Sequence, residues 1–146
     1  MKNLLKIFTF SILFMSVMGA CSSDKDDVSH KLILNYKIPA NSWKAVYDNN
    51  GYFLYYQCYI DEPKLTRNIY DNAVIVPYLE RQENGVSSQK ILPYIINSWD
   101  DVSTFNWSID FDYAVGSVGF FIQNSEYIED LPYKNETMTF RVVYIW

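Results

Sequence analysis

With 146 residues, 17 acidic against 12 basic side chains and a net charge of −5, the chain is one domain in size and repels polyanions. No basic stripe or Arg cluster offsets that balance, so nucleic acid is excluded as a partner. Only five glycines and one histidine are present, and no phosphate-cradling loop or spaced His/Cys set can be built from them. No cofactor and no metal are expected.

The first twenty residues have the layout of a secretory signal. Lys2 and Lys6 supply positive charge, and Ile7 to Met18 forms a short apolar core ending in small residues. That core is too short to span a bilayer, which needs roughly 20 apolar residues. In "MGACSSDKDD" the small pair Gly19-Ala20 stands directly before Cys21, the arrangement that lipoprotein signal peptidase prefers. Met18 departs from the usual Leu, Val or Ile three positions before the cysteine. The expectation is cleavage between Ala20 and Cys21, with lipid attached to Cys21. Loss of Lys2 and Lys6 would move the net charge from −5 to −7. If Cys21 carries lipid, Cys58 has no disulfide partner. Cys58 alternates with apolar residues, where a cysteine acts as a small buried hydrophobe. A nucleophilic role would need a histidine base, and His30, the sole histidine, is assigned to the tether.

Residues 21–30 are polar, charged and without aromatics, so they are read as a flexible tether. Residues 31–146 then show short alternating runs and no helical periodicity. "KLILNYKI" sets Leu32, Leu34, Tyr36 and Ile38 on one face, and "WKAVY" alternates Trp43, Ala45 and Tyr47. Asp48-Asn49-Asn50-Gly51 is a tight turn. It lacks the spaced carboxylates and closing Glu of a calcium loop. Tyr52 to Asp61 is a strand ended by Pro63, and "LTRNIYDN" reads as a turn or one helical turn capped by Thr66. Ala73 to Glu80 is a strand that Pro77 pushes toward an edge or bulge. Asn84-Gly85 reverses the chain, and Lys90 to Ile96 is read as a strand with Pro93 inside.

The clearest alternation is "TFNWSIDFDY". Phe105, Trp107, Ile109, Phe111 and Tyr113 face one way, while Asn106, Ser108, Asp110 and Asp112 face the other. A half-buried antiparallel strand has that pattern. Gly116 turns the chain into "SVGFFIQN". In the closing "TMTFRVVYIW", Met138, Phe140, Val142, Tyr144 and Trp146 share one face, while Val143 and Ile145 make the other apolar too. The last strand therefore belongs in the middle of its sheet. About seven to eight strands with regular turn signals predict an all-β antiparallel sandwich, immunoglobulin-like or jelly-roll-like, with a closed barrel as the rival.

Two sets of residues carry candidate chemistry. Asp110 and Asp112 lie on one strand face roughly 7 Å apart at strand rise. Solvated outer-face residues account for them, and a small carbohydrate-active enzyme using Asp110, Asp112 or Asp101 is the alternative. The aromatics are the larger excess: 13 Tyr, 4 Trp and 9 Phe. Tyr combines a flat apolar face with a polar tip, which suits stacking on sugars or contact with proteins, and it also packs well in sheets. Tyr55 and Tyr59 turn outward if Leu54, Cys58 and Ile60 face the core. With Tyr94, and with Trp99 in a loop beside Asp100-Asp101, they form the candidate surface for a glycan or an envelope protein. Asn106-Trp107-Ser108 and Asn135-Glu136-Thr137 match the glycosylation sequon and are read as chance.

The whole resembles the small surface lipoproteins of Bacteroidota. The acidic run Ser22 to Asp27 resembles the signal that sends such lipoproteins to the outer face of the outer membrane. "PKLTRNIYDNAVIVPYLE", "LPY" at Leu92 to Tyr94 and "TFRVVYI" at Thr139 to Ile145 resemble a recurring sandwich-like domain in these proteins. Asn72 stands where that pattern has Gly, and Asn also reaches the left-handed conformation; Pro77 departs from it. The resemblance implies an outward-facing lipoprotein, a non-enzymatic binding or scaffold module, and brings no substrate. A subunit of a surface filament or complex is a further alternative.

Overall fold

The computed structural model describes residues 30–99, 104–129, 131 and 136–146. Cleavage and lipidation at Ala20 and Cys21, Asp100 and Asp101, and Asn135 all fall outside them. Nine strands are present among the described residues, in two separate antiparallel sheets. One sheet holds β1 (Lys31–Ile38), β9 (Met138–Ile145), β4 (Val74–Glu83) and β5 (Val86–Ile91), in that order. The other holds β2 (Lys44–Tyr47), β3 (Phe53–Asp61), β8 (Ser117–Asn124), β7 (Thr104–Ala114) and β6 (Tyr94–Trp99). The chain is an all-β sandwich. Its two sheets stay distinct, so the closed barrel does not form.

Alternation decides what each sheet buries. Across the first sheet Tyr36, Phe140 and Leu79 stand side by side and face inward, as do Leu34, Val142 and Pro77. Tyr56 and Cys58 of β3, Val118, Phe120 and Ile122 of β8, and Trp107 and Ile109 of β7 face them from the second. The sheets meet where the Phe120 and Phe140 rings lie 4.3 Å apart. Burying one such ring contributes roughly 1.5–3 kcal/mol. Tyr36 donates to Glu62 Oε2 at 3.2 Å beside the fully buried Tyr144. Burial pushes the Tyr144 hydroxyl up to about 12, and pushes that of Tyr36 far above its ordinary range.

The β9 strand is central, as its two apolar faces require. Its outward residues continue the aliphatic character: Ile33, Val143 and Val76 form one row across three strands, and Lys31, Ile145 and Val74 form the next. A bulge between Val46 and Tyr47 lets Phe53 join Tyr56 in the core, their rings 4.9 Å apart. It also turns Tyr47 outward, where its hydroxyl donates to Glu129 at 2.7 Å. The single α-helix among the described residues, α1 (Arg67–Asn72), opens with Ile69 N–H donating to Thr66 Oγ1 at 3.4 Å, and a one-turn 3-10 helix spans Ala40–Ser42. No helix among the described residues is long and apolar enough to cross a membrane.

Five expectations are corrected. His30 belongs to the body, because it exchanges both backbone hydrogen bonds with Trp146 (2.8 and 3.0 Å) and stacks on its ring. Pro77 sits in an inner strand between β9 and β5. Its carbonyl accepts from Leu92 N–H on the β5 side. In an antiparallel strand the N–H position lies on that same side, so the β9 ladder loses no donor. Lys90 to Ile96 is two strands, since the chain breaks at the cis Leu92–Pro93 bond and passes from one sheet to the other. Trp99 is the last residue of β6 rather than a loop residue. Asn72 stays helical, its side-chain amide donating to the Asn68 carbonyl at 2.9 Å.

Candidate functional site

The outer face of the five-stranded sheet is where the candidate aromatics and carboxylates converge. Strand pairing places Tyr59, Gly119 and Asp112 in one row, and Gln57, Phe121 and Asp110 in the next. Each belongs to the set that alternates away from the core, so sheet registry alone brings three strands' outward residues together.

Gly119 is the pivot. A Cβ added there would lie 2.7 Å from Tyr59 Cε1 and 3.0 Å from Phe121 Cζ, and closer still to Asp112 Oδ1. Tyr59 from one side and Asp112 from the other therefore close over the missing side chain. A ring laid across a cross-strand glycine restores the contact that the glycine lacks. Tyr59 still keeps 58% of its surface exposed. Phe121 stands between the two tyrosines, 5.7 Å from Tyr59 at 84° and 6.0 Å from Tyr55 at 69°. Such edge-on packing fixes the rings against each other. The result is a short aromatic ridge, Tyr55–Phe121–Tyr59, with a notch over Gly119 and carboxylates along its β7 side.

The electrostatics are one-sided. Asp112's carboxyl is raised above the ordinary range, first by burial and then by the charge of Asp110. Burial, then the charge of Asp112, also raises the Tyr59 hydroxyl. Asp110 accepts the Phe111 N–H at 2.7 Å. The ion pairs among the described residues, Arg67–Asp71 and Arg81–Glu83, leave both aspartates unpaired with a cation. Asp61 stands on the same face, two residues beyond Tyr59. Among the described residues no group of three or more His, Cys, Asp or Glu side chains is placed to hold a metal ion.

Four aromatics were expected to share this surface, and the structure brings two of them together. Tyr55 and Tyr59 lie on the ridge. Trp99 is on the same outer face and 74% exposed, but β7 and β8 separate it from β3. Tyr94 turns inward, opposite the buried Ile109, and packs against the core with the Lys90 ammonium 6.0 Å above its ring. It shares the inward set with Leu92 and Ile96, two residues to either side. Phe121 and Gly119 were not anticipated. Their signal was "SVGFFIQN", where a Phe and a Gly fall on the outward set of a strand whose other set runs Val118, Phe120, Ile122 before ending at the buried Asn124.

Cys58 is buried and free, and burial pushes its thiol up, opposed by Lys44. A thiol raised in that way is held away from its nucleophilic form. Open depressions are also found among the described residues. One of about 860 Å³ lies between the β4–β5 hairpin and the start of β9, lined by Arg81, Gln82, Ser88, Glu136 and Thr139 among others. Another, about 410 Å³, is bordered by Tyr59 itself together with Lys37, Asn41, Lys44 and Cys58. Comparisons of the chain with models of protein families, with known proteins and with solved structures return no match, so the reading of this surface rests on its geometry.

Proposed function

We propose that the chain is a lipid-anchored envelope protein, displayed outward from the outer membrane, whose sandwich binds glycans without chemical turnover. The observation that carries the binding reading is the Tyr59 ring over Gly119, half exposed and flanked by Asp112. Sugar rings present apolar C–H faces and equatorial hydroxyls. An exposed aromatic face beside hydrogen-bond acceptors is complementary to both. The anchoring reading is supported by "MGACSSDKDD" at the seam between an apolar leader and an acidic tether.

Two experiments test it. Metabolic labelling with palmitate, followed by membrane fractionation, should show label and membrane association that are both lost in Cys21→Ser. A Cys21→Ser protein that stays membrane-bound refutes the anchor. A glycan array should give hits that disappear in Tyr59→Ala while the variant keeps its melting temperature. An empty array, or hits indifferent to Tyr59, refutes the binding site.

A second reading, a subunit of a surface complex, is favoured by the aliphatic row Ile33, Val143 and Val76 on the outside of the four-stranded sheet. A pull-down from envelope extracts that recovers a stoichiometric partner, lost in Val143→Asp, supports that reading over the first.

A further inference from the structure

The charge around the aromatic ridge narrows what it can hold, given the glycan-binding reading above. Tyr59 is bordered by Asp112 across Gly119, by Asp110 one row away beside Phe121, and by Asp61 on its own strand. Lys44 shares the outer face on β2, opposite Gln57, and with Lys37 lines the depression on the β2 side of Tyr59, away from β7. Three strand spacings separate it from Asp110 on β7, roughly 14 Å. That backbone separation exceeds a Debye length of about 8 Å at physiological salt, so Lys44 offsets the β7 aspartates only weakly. No ion pair among the described residues engages them.

An anionic sugar, uronic or sulfated, would meet this uncompensated negative charge at close range. A neutral sugar would cover the ring and leave two carboxylates to be desolvated without a counter-charge. A cation on the sugar resolves both. Its ammonium is attracted to the ring face and to the carboxylates at once, while the sugar's C–H face rests on Tyr59 and the edge of Phe121. We propose that the ligand is an amino sugar with a free amine, its ammonium seated between the Tyr59 ring and the carboxylates of Asp112 and Asp110.

The test titrates the full chain with glucosamine hexamers, with the fully N-acetylated hexamer, with a neutral glucose hexamer and with a lysine oligomer of matching charge. Glucosamine hexamers should bind at least tenfold tighter than either neutral hexamer, and the preference should shrink with added salt. Asp110→Asn combined with Asp112→Asn should bring glucosamine down to the neutral level, and Tyr59→Ala should remove binding of all the sugars. Thermal melts report that the variants are folded. Neutral hexamers binding as well as glucosamine, with Tyr59 still required, overturn this inference and leave the glycan reading standing. A lysine oligomer binding as tightly as glucosamine and insensitively to Tyr59→Ala overturns it as charge alone. No sugar binding at all overturns both.

Discussion

Gly119→Ala separates the fold from the surface that the fold presents. The new methyl would sit 2.7 Å from Tyr59 Cε1 and 3.0 Å from Phe121 Cζ, where carbon atoms in contact prefer about 3.5–4.0 Å. Tyr59 must therefore withdraw by roughly 1 Å or swing away, and Asp112 with it. Both are side chains on the solvent face and have room to do so. Losing the Tyr59–Phe121 edge contact costs about 0.5–1.5 kcal/mol. Against it, replacing a strand glycine by alanine recovers about 0.5–1 kcal/mol of backbone entropy. The two terms nearly cancel, so net stability should change by less than about 1 kcal/mol. The notch, however, is filled. Urea melts and sugar titrations on the same preparation give the answer. The expected outcome is an unchanged midpoint and binding at least tenfold weaker. A loss of about 3 kcal/mol or more, the size of a core defect, would mean that the backbone and not the side chains yields. Full binding by a folded variant would mean that the notch is not where the ligand sits.

Phe120→Ala, at the contact between the sheets, should cost about 3–5 kcal/mol in chemical denaturation, because a fully buried ring leaves a cavity behind; a cost under about 1 kcal/mol would contradict the packing described. Asp112→Asn should raise the urea midpoint near neutral pH. A carboxyl raised by burial prefers its proton in the folded state, so the charged form weakens the fold above the ordinary carboxyl range of about 3.9 and the penalty vanishes below it; melts at about pH 7 and about pH 3 should show the gain only at the higher pH. At the alkaline end, the Tyr144 hydroxyl at about 12 against an ordinary 10.0 means that stability present below pH 10 is lost as pH rises through 12. The loss amounts to about 2–3 kcal/mol at 1.36 kcal/mol per unit, and Tyr144→Phe should make that limb shallower in pH-dependent melts, while Tyr36, also raised by burial, keeps the rest of it.

How much of this was legible beforehand varies with the kind of signal. Alternation in "TFNWSIDFDY" and "TMTFRVVYIW" placed Ile109, Trp107, Phe140 and Val142 inside, and the doubly apolar last strand correctly implied its central position. Period-two patterning reports which face is dry, and that is a local property. Which strands adjoin is not local. Nothing in "YFLYYQCYI" announces that Tyr59 will lie beside Gly119, some sixty residues later, or that Asp112 will close the notch from the far side. Pro77 misled because a proline looks like an edge residue until the direction of its missing donor is known. Lys90 to Ile96 misled because a crossover between sheets and a bulge within one leave the same mark, a proline in an apolar run. Tyr94 shares the parity of Leu92 and Ile96, both inward, so alternation placed it inside, and its grouping with the outward tyrosines rested on residue type alone.

The central place of β9 also sets when the molecule can assemble. About 110 residues of chain separate Lys31 from its partner Ile145, and β4 docks on the other side of that same late strand. Until Met138–Ile145 emerges, β1 and β4 share no neighbour, and the four-stranded sheet exists only as the β4–β5 hairpin. Ordering such distant partners requires closing a long loop before any pairing energy returns, which puts folding among the slower, sheet-dominated domains, at milliseconds to seconds. The five-stranded sheet needs nothing from β9, so the two halves of the sandwich differ in when they can close: one is complete at Asn124, the other only at Ile145.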